Sequence, residues 1–141
     1  MTAEQVFLIR SSFAEVSRHG HVAALVFYRR LFEIDPALRR HFTHDIEEQS
    51  RRLVEMLERP HGLELELRAM GSRHAGYGVE EAHYATVGAA LVDMLVATPG
   101  LAFTPEVREA WTARYGVVAV TMKAGAAEAA EVTRLPRDLA A

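Results

Sequence analysis

The sequence predicts an all-α fold of six to eight helices in one domain, and three observations carry that prediction. Apolar residues recur at spacings of three and four along most of the chain, which places them on one face of a helix. The breaks between these runs are helix starts and stops, such as Thr2-Ala3-Glu4-Gln5, Asp35-Pro36, Pro99-Gly100 and Thr104-Pro105. Only Leu63-Glu64-Leu65-Glu66-Leu67 alternates with period two, and no second convincing strand exists to pair with it, so we read it as helix.

Thr2 and Gln5 make a capping box, each able to satisfy a backbone donor that the first turn leaves unpaired. Val6, Ile9, Phe13 and Val16 form the stripe of the first helix, which Gly20 is placed to end. A second helix carries Val22, Leu25, Val26, Leu31 and Phe32, together with Tyr28. Asp35 caps a short helix with proline at its first position, running through Leu38 to Phe42. Beyond the polar break Thr43-His44-Asp45, the residues Ile46, Gln49, Leu53 and Met56 share one helical face, an amide among apolar groups, and Pro60 stops that helix. The next helix sets Leu63, Leu67, Met70 and His74 on one face, with Gly76 and Gly78 placed to break it just after the imidazole. Tyr84, Val87, Leu91, Met94 and Leu95 line a long helix closed by Pro99-Gly100. Thr104-Pro105-Glu106 opens the last one, where Trp111, Tyr115, Val118 and Met122 run at four, three and four. We expect the domain to occupy residues 1–127 and residues 128–141 to form a frayed tail.

Composition narrows the function. A chain of 141 residues, half of them hydrophobic, can bury about two thirds of its unfolded surface, enough for a core that houses a ligand. The net charge of −3, with arginines scattered among acids, gives no case for nucleic acid. The absence of cysteine removes disulfides, thiolate nucleophiles and cysteine-held metals. No signal peptide opens the chain and no run approaches the roughly 20 apolar residues of a membrane span, so a cytoplasmic protein is expected.

The face of Leu63, Leu67, Met70 and His74 is apolar except at its last turn, where it carries one imidazole. An imidazole ending such a stripe, with a chain reversal beyond it, suits an axial ligand to a flat, apolar, iron-bearing cofactor. The residues alone leave a second reading open, a core histidine hydrogen-bonded to a backbone carbonyl.

Four motifs in order extend the pattern. They are Phe27-Tyr28 with Leu31-Phe32, Pro36 and Arg40-His41-Phe42; Gln49 with Leu53; Arg73-His74 with Gly78-Val79, His83-Tyr84, Val87-Gly88 and Leu91; and Phe103-Thr104-Pro105-Glu106 with Ala110-Trp111 and Tyr115-Gly116. From about residue 5 to about residue 125 the chain resembles a globin of the bacterial single-domain kind, related to flavohaemoglobins and neuroglobins. The resemblance implies a globin fold around haem b, with His74 as the metal ligand and its other ring nitrogen donating to a second group. It implies cofactor contacts from Phe42, Leu53, Met70, His74 and Tyr84, and a distal side lined by Tyr28, Gln49 and Leu53. Two donors near the ligand favour dioxygen over carbon monoxide, since dioxygen draws electron density from ferrous iron.

The function so implied is reversible binding of dioxygen, or of nitric oxide or carbon monoxide, for storage, delivery or sensing. The alternatives are nitric oxide dioxygenation or another haem-dependent oxidation, which would need an external reductase since these residues hold no flavin or nicotinamide domain, and a haemless helical domain. No nucleic-acid or membrane partner is expected, and the chain is expected to be a monomer or homodimer. The sequence departs from the family pattern twice. Ala126 or a close neighbour stands where flavohaemoglobins carry a glutamate that polarises the proximal histidine alongside a tyrosine matching Tyr84, and Glu128 is the nearest acid. Gln49 and His74 are 25 residues apart, shorter than the family pattern by about two helical turns near Glu58-Arg59-Pro60-His61-Gly62. That shortening admits His41, His44 or His61 as a sixth ligand, while Arg52 and Arg73 are candidates for the haem propionates.

Overall fold

A computed structural model describes residues 1–41, 45–59 and 64–134. Six α-helices are present among these: α1 (Ala3–Arg18), α2 (Gly20–Ile34), α3 (Ile46–Glu58), α4 (Glu64–Gly76), α5 (Glu81–Ala97) and α6 (Pro105–Arg134), with a 3-10 turn at Pro36–His41 between α2 and α3. No strand occurs among the described residues, and Glu64 to Leu67 lie in the first turn of α4.

Local chemistry starts the helices where the sequence places the starts. Thr2 Oγ1 accepts from Gln5 N at 3.1 Å, and Gln5 Oε1 accepts from Thr2 N at 3.0 Å. Asp45 Oδ1 takes the backbone N–H groups of Glu47 and Glu48 at the head of α3. Thr104 Oγ1 takes that of Val107 at the head of α6.

The long α6 is the bed on which the rest is assembled. It packs most extensively against α4 and also meets α1, α3 and α5, while α2 lies across α5 and α3. Trp111 is fully buried at the centre, with Ile9, Leu31, Leu57, Leu91, Met94, Leu95 and Val118 around it. Its indole N–H donates to Ser12 Oγ at 2.7 Å, and that hydroxyl donates to the Leu8 carbonyl at 2.6 Å. A buried donor is thus satisfied by a serine that the apolar stripe of α1 passes over.

Several elements differ from the expectation. Gly20 does not end α1; the chain turns at His19 (φ −117°) and Gly20 is the first residue of α2. On α2 the buried face is Ala23, Ala24, Phe27, Tyr28 and Leu31, while Val22 and Leu25 are exposed. The helix has two overlapping apolar faces, and small side chains on one of them allow close packing. On α3 the fully buried row is Ser50, Val54 and Leu57, and the expected stripe of Ile46, Gln49, Leu53 and Met56 is half-buried beside it. The last helix continues through Arg134, so residues 128–134, assigned to the tail, are helical; residues 135–141 lie outside the described part.

Candidate functional site

Met70 and His74 stand one turn apart on α4, both half-buried, with Leu67 fully buried a turn before. His74 Nδ1 lies 2.8 Å from the carbonyl oxygen of Met70. A carbonyl can only accept, so Nδ1 carries the proton and Nε2 keeps its lone pair, the form in which imidazole binds a metal. Beyond His74 the helix closes in a Schellman motif. Val79 N donates to the His74 carbonyl at 3.0 Å, Gly78 N donates to that of Ala75 at 3.0 Å, and Gly78 holds φ +90°. The chain reversal expected after His74 is there, and Gly78 alone makes it; Gly76 is an ordinary helical residue.

The back of α4 is fitted to α6 through two glycines. A Cβ on Gly71 would come within 1.9 Å of the Met122 carbonyl oxygen, and one on Gly125 within 2.0 Å of the Arg68 carbonyl oxygen. Real Cβ atoms do not approach that closely, so the two backbones touch where any side chain would force them apart. Arg68 bridges the same crossing, its guanidinium paired with Glu128 of α6 and with Glu64 at 3.2 Å.

On the facing side, α3 presents Gln49 and Leu53, half-buried. Gln49 Oε1 is buried and has no hydrogen-bond partner among the described residues. Tyr28 of α2 is buried, its ring 5.8 Å from that of Phe32. Burial, with the Asp45 carboxylate adding to it, pushes the Tyr28 hydroxyl well above the usual tyrosine range, so it stays protonated as a donor. Among the described residues α3 and α4 share no packed face. Tyr84 of α5 is buried, its carbonyl takes the Tyr115 hydroxyl, and Lys123 Nζ lies 5.6 Å from its ring centre. Phe42, His44, His61 and the side chain of His41 lie outside the described residues. Arg52 is held by Glu48 at 3.0 Å, and Arg73 is exposed.

These features suit a flat apolar group between α3 and α4. One side offers an imidazole whose second ring nitrogen is open, the other a buried amide oxygen that lacks a partner among the described residues, and Leu53 and Met70, packed at the edge of the core, are half-buried beside them. A separate cleft of about 280 Å³ lies between α1, α2 and α3, against Phe13, Val16, Ser50 and Val54, and none of the candidate site residues lines it.

Comparison with known proteins decides the family. The family model described as Globin matches residues 25–122. The chain belongs to the globin family. It is 30% identical to the neuroglobin of Danio rerio over 145 aligned positions, covering 88% of this chain and 91% of that protein. The neuroglobin of Tetraodon nigroviridis matches at 30% over the same shares. A solved structure, the closed form of the HGbRL's globin domain, shares 32% identity, covers 91% of this chain and 98% of that one, and superposes with a TM-score of 0.41. This globin is a haem-binding, gas-binding protein, and its cofactor is haem b. Among the described residues no helix is long and apolar enough to cross a membrane.

Reading the sequence of this globin missed several residues that shape the site. Gly71 and Gly125 set the α4–α6 contact, and Arg114, 5% exposed, donates from Nε to the Leu57 carbonyl at 3.1 Å. His83 joins the start of α5 to the 3-10 turn: its Nδ1 accepts from Glu80 N at 2.9 Å, and its Nε2 lies 3.6 Å from Asp35. The acid expected nearest to the proximal glutamate, Glu128, is engaged by Arg68. The Nδ1 of His74 is held by a backbone carbonyl rather than a carboxylate.

Proposed function

We propose that this globin binds dioxygen or another diatomic gas reversibly for storage, delivery or sensing, with His74 as the axial ligand of haem b. The observation that carries the reading is the His74–Met70 hydrogen bond, which places the proton of the neutral ring on Nδ1 and turns Nε2 into the coordinating nitrogen at the end of an apolar stripe. The haem supplies a ferrous iron that takes the gas. Phe42, Leu53, Met70 and Tyr84 would keep water from the iron, and Tyr28 and Gln49 would supply a hydroxyl and an amide donor on the distal side. A carbonyl partner polarises His74 less than a carboxylate would, which favours holding a gas over cleaving an O–O bond. We place the chain with the single-domain globins of the bacterial kind, as the run from Phe103 to Tyr115 supports, and in the cytoplasm.

Absorption spectra of the ferric, dithionite-reduced and carbon monoxide-bound protein test this. A ferrous spectrum that shifts cleanly with carbon monoxide, and is lost in His74→Ala, is expected. Retention of the parent spectra in His74→Ala would remove His74 from the iron.

A further inference from the structure

Among the described residues, α6 is the one helix against which α4 packs substantially. The position of His74 is therefore decided where these two helices touch. That contact is reciprocal: Gly71 of α4 sits on the Met122 carbonyl, and Gly125 of α6 sits on the Arg68 carbonyl. The surface of contact on α4 is next to the stripe that carries the imidazole, since Gly71 and His74 are three residues and hence about 60° apart around the helix. A methyl group at either glycine meets backbone, which cannot rotate away, so the two helices must move apart, and a displaced α4 takes His74 with it. Not every glycine of α6 behaves in this way, since a Cβ on Gly116 would meet nothing within 4 Å.

We propose that Gly71 and Gly125 are positioning residues for the axial bond: by bringing the α4 and α6 backbones into contact they set the reach of His74 Nε2 toward the iron. The inference rests on His74 being the axial ligand. The Arg68–Glu128 pair latches the same crossing from outside and is its adjustable part.

The test is the iron–histidine stretching band in resonance Raman spectra of the ferrous protein just after carbon monoxide photolysis. A parent protein without that band fails the axial-ligand reading itself, separately from this proposal. With the band present, Gly71→Ala and Gly125→Ala are each expected to shift or split it and to speed haem loss, while Gly116→Ala leaves it in place. In His74→Gly supplied with free imidazole, adding Gly71→Ala is expected to leave the iron–imidazole band unmoved, because the untethered ring no longer reports where α4 lies. Alanine variants that are less stable but keep the parent band would show that the glycines serve packing alone, and the proposal falls. Glu128→Gln, at an exposed carboxylate, covers the case in which neither alanine variant folds. It is expected to shift the band from its parent position, and an unmoved band there overturns the proposal.

Discussion

Arg114 Nε donates to the carbonyl oxygen of Leu57 at 3.1 Å, which ties the last turn of α3 to the middle of α6. That carbonyl is one of the four at the end of a helix that have no partner within it. Burial lowers the Arg114 pKa, yet arginine starts so high that the guanidinium stays charged and the bond is charge-assisted. Replacing Arg114 with methionine keeps the buried stem and removes the donor. The expected loss is about 1.5–3 kcal/mol in urea unfolding, with faster gas release because α3 carries Gln49 and Leu53. An unchanged midpoint would show that the end of α3 is held by something else.

Much of the fold was legible because its signals are local. The capping residues Thr2, Asp45 and Thr104 act within three positions of themselves, and the stripe ending in His74 needs only helical spacing to be seen. Arg114 was not legible, since an arginine in Ala-Trp-Thr-Ala-Arg-Tyr reads as a surface residue until the end of a distant helix is laid beside it. Gly71 and Gly125 fail for the same reason: each is required by the other's helix, not by its own neighbours. On α2 the spacing was right and Leu31 is buried as expected, but Val22 and Leu25 are exposed, because Val22-Leu25 and Ala23-Phe27 satisfy the same period and burial alone distinguishes them.

Gln49 couples function to stability with opposite signs. Its buried Oε1 lacks a partner among the described residues, and such a group costs about 1–3 kcal/mol. Gln49→Leu is therefore expected to raise the melting temperature of the haem-free protein while speeding oxygen release measured by stopped flow. Tyr28→Phe removes the other donor proposed for the distal side and is expected to speed release about tenfold, the equivalent of one hydrogen bond of about 1.4 kcal/mol. A release rate unchanged in both variants would remove them from the ligand's surroundings.

Three tyrosines make the fold sensitive to alkali. Burial raises the pKa of Tyr28, Tyr84 and Tyr115, with Asp45 adding to the first and Tyr84 to the last. The folded state keeps these protons more tightly than the unfolded chain, whose tyrosines titrate near 10. Their contribution is fully present below that pH and is lost as pH rises through the folded values. Circular dichroism should show stability falling above about pH 10, with tyrosinate absorbance appearing together with unfolding. Full ionisation of these tyrosines in a still-helical protein would contradict the burial seen here.

The two glycines after His74 should respond to alanine in opposite directions. Gly78 holds φ +90°, where a Cβ clashes with the following carbonyl, so Gly78→Ala is expected to cost about 1–2 kcal/mol. It should also speed haem loss, because the Schellman bond from Val79 N to the His74 carbonyl depends on that turn. Gly76 is the last residue of α4, its φ is not positive, and a Cβ there would meet nothing within 4 Å. Gly76→Ala removes backbone freedom from the unfolded chain without straining the folded one, and is expected to add about 0.4–1 kcal/mol. Parallel unfolding curves for the two variants decide it. Equal destabilisation by both would mean that the helix breaks at Gly76 in solution, and the Schellman closure of α4 would be wrong.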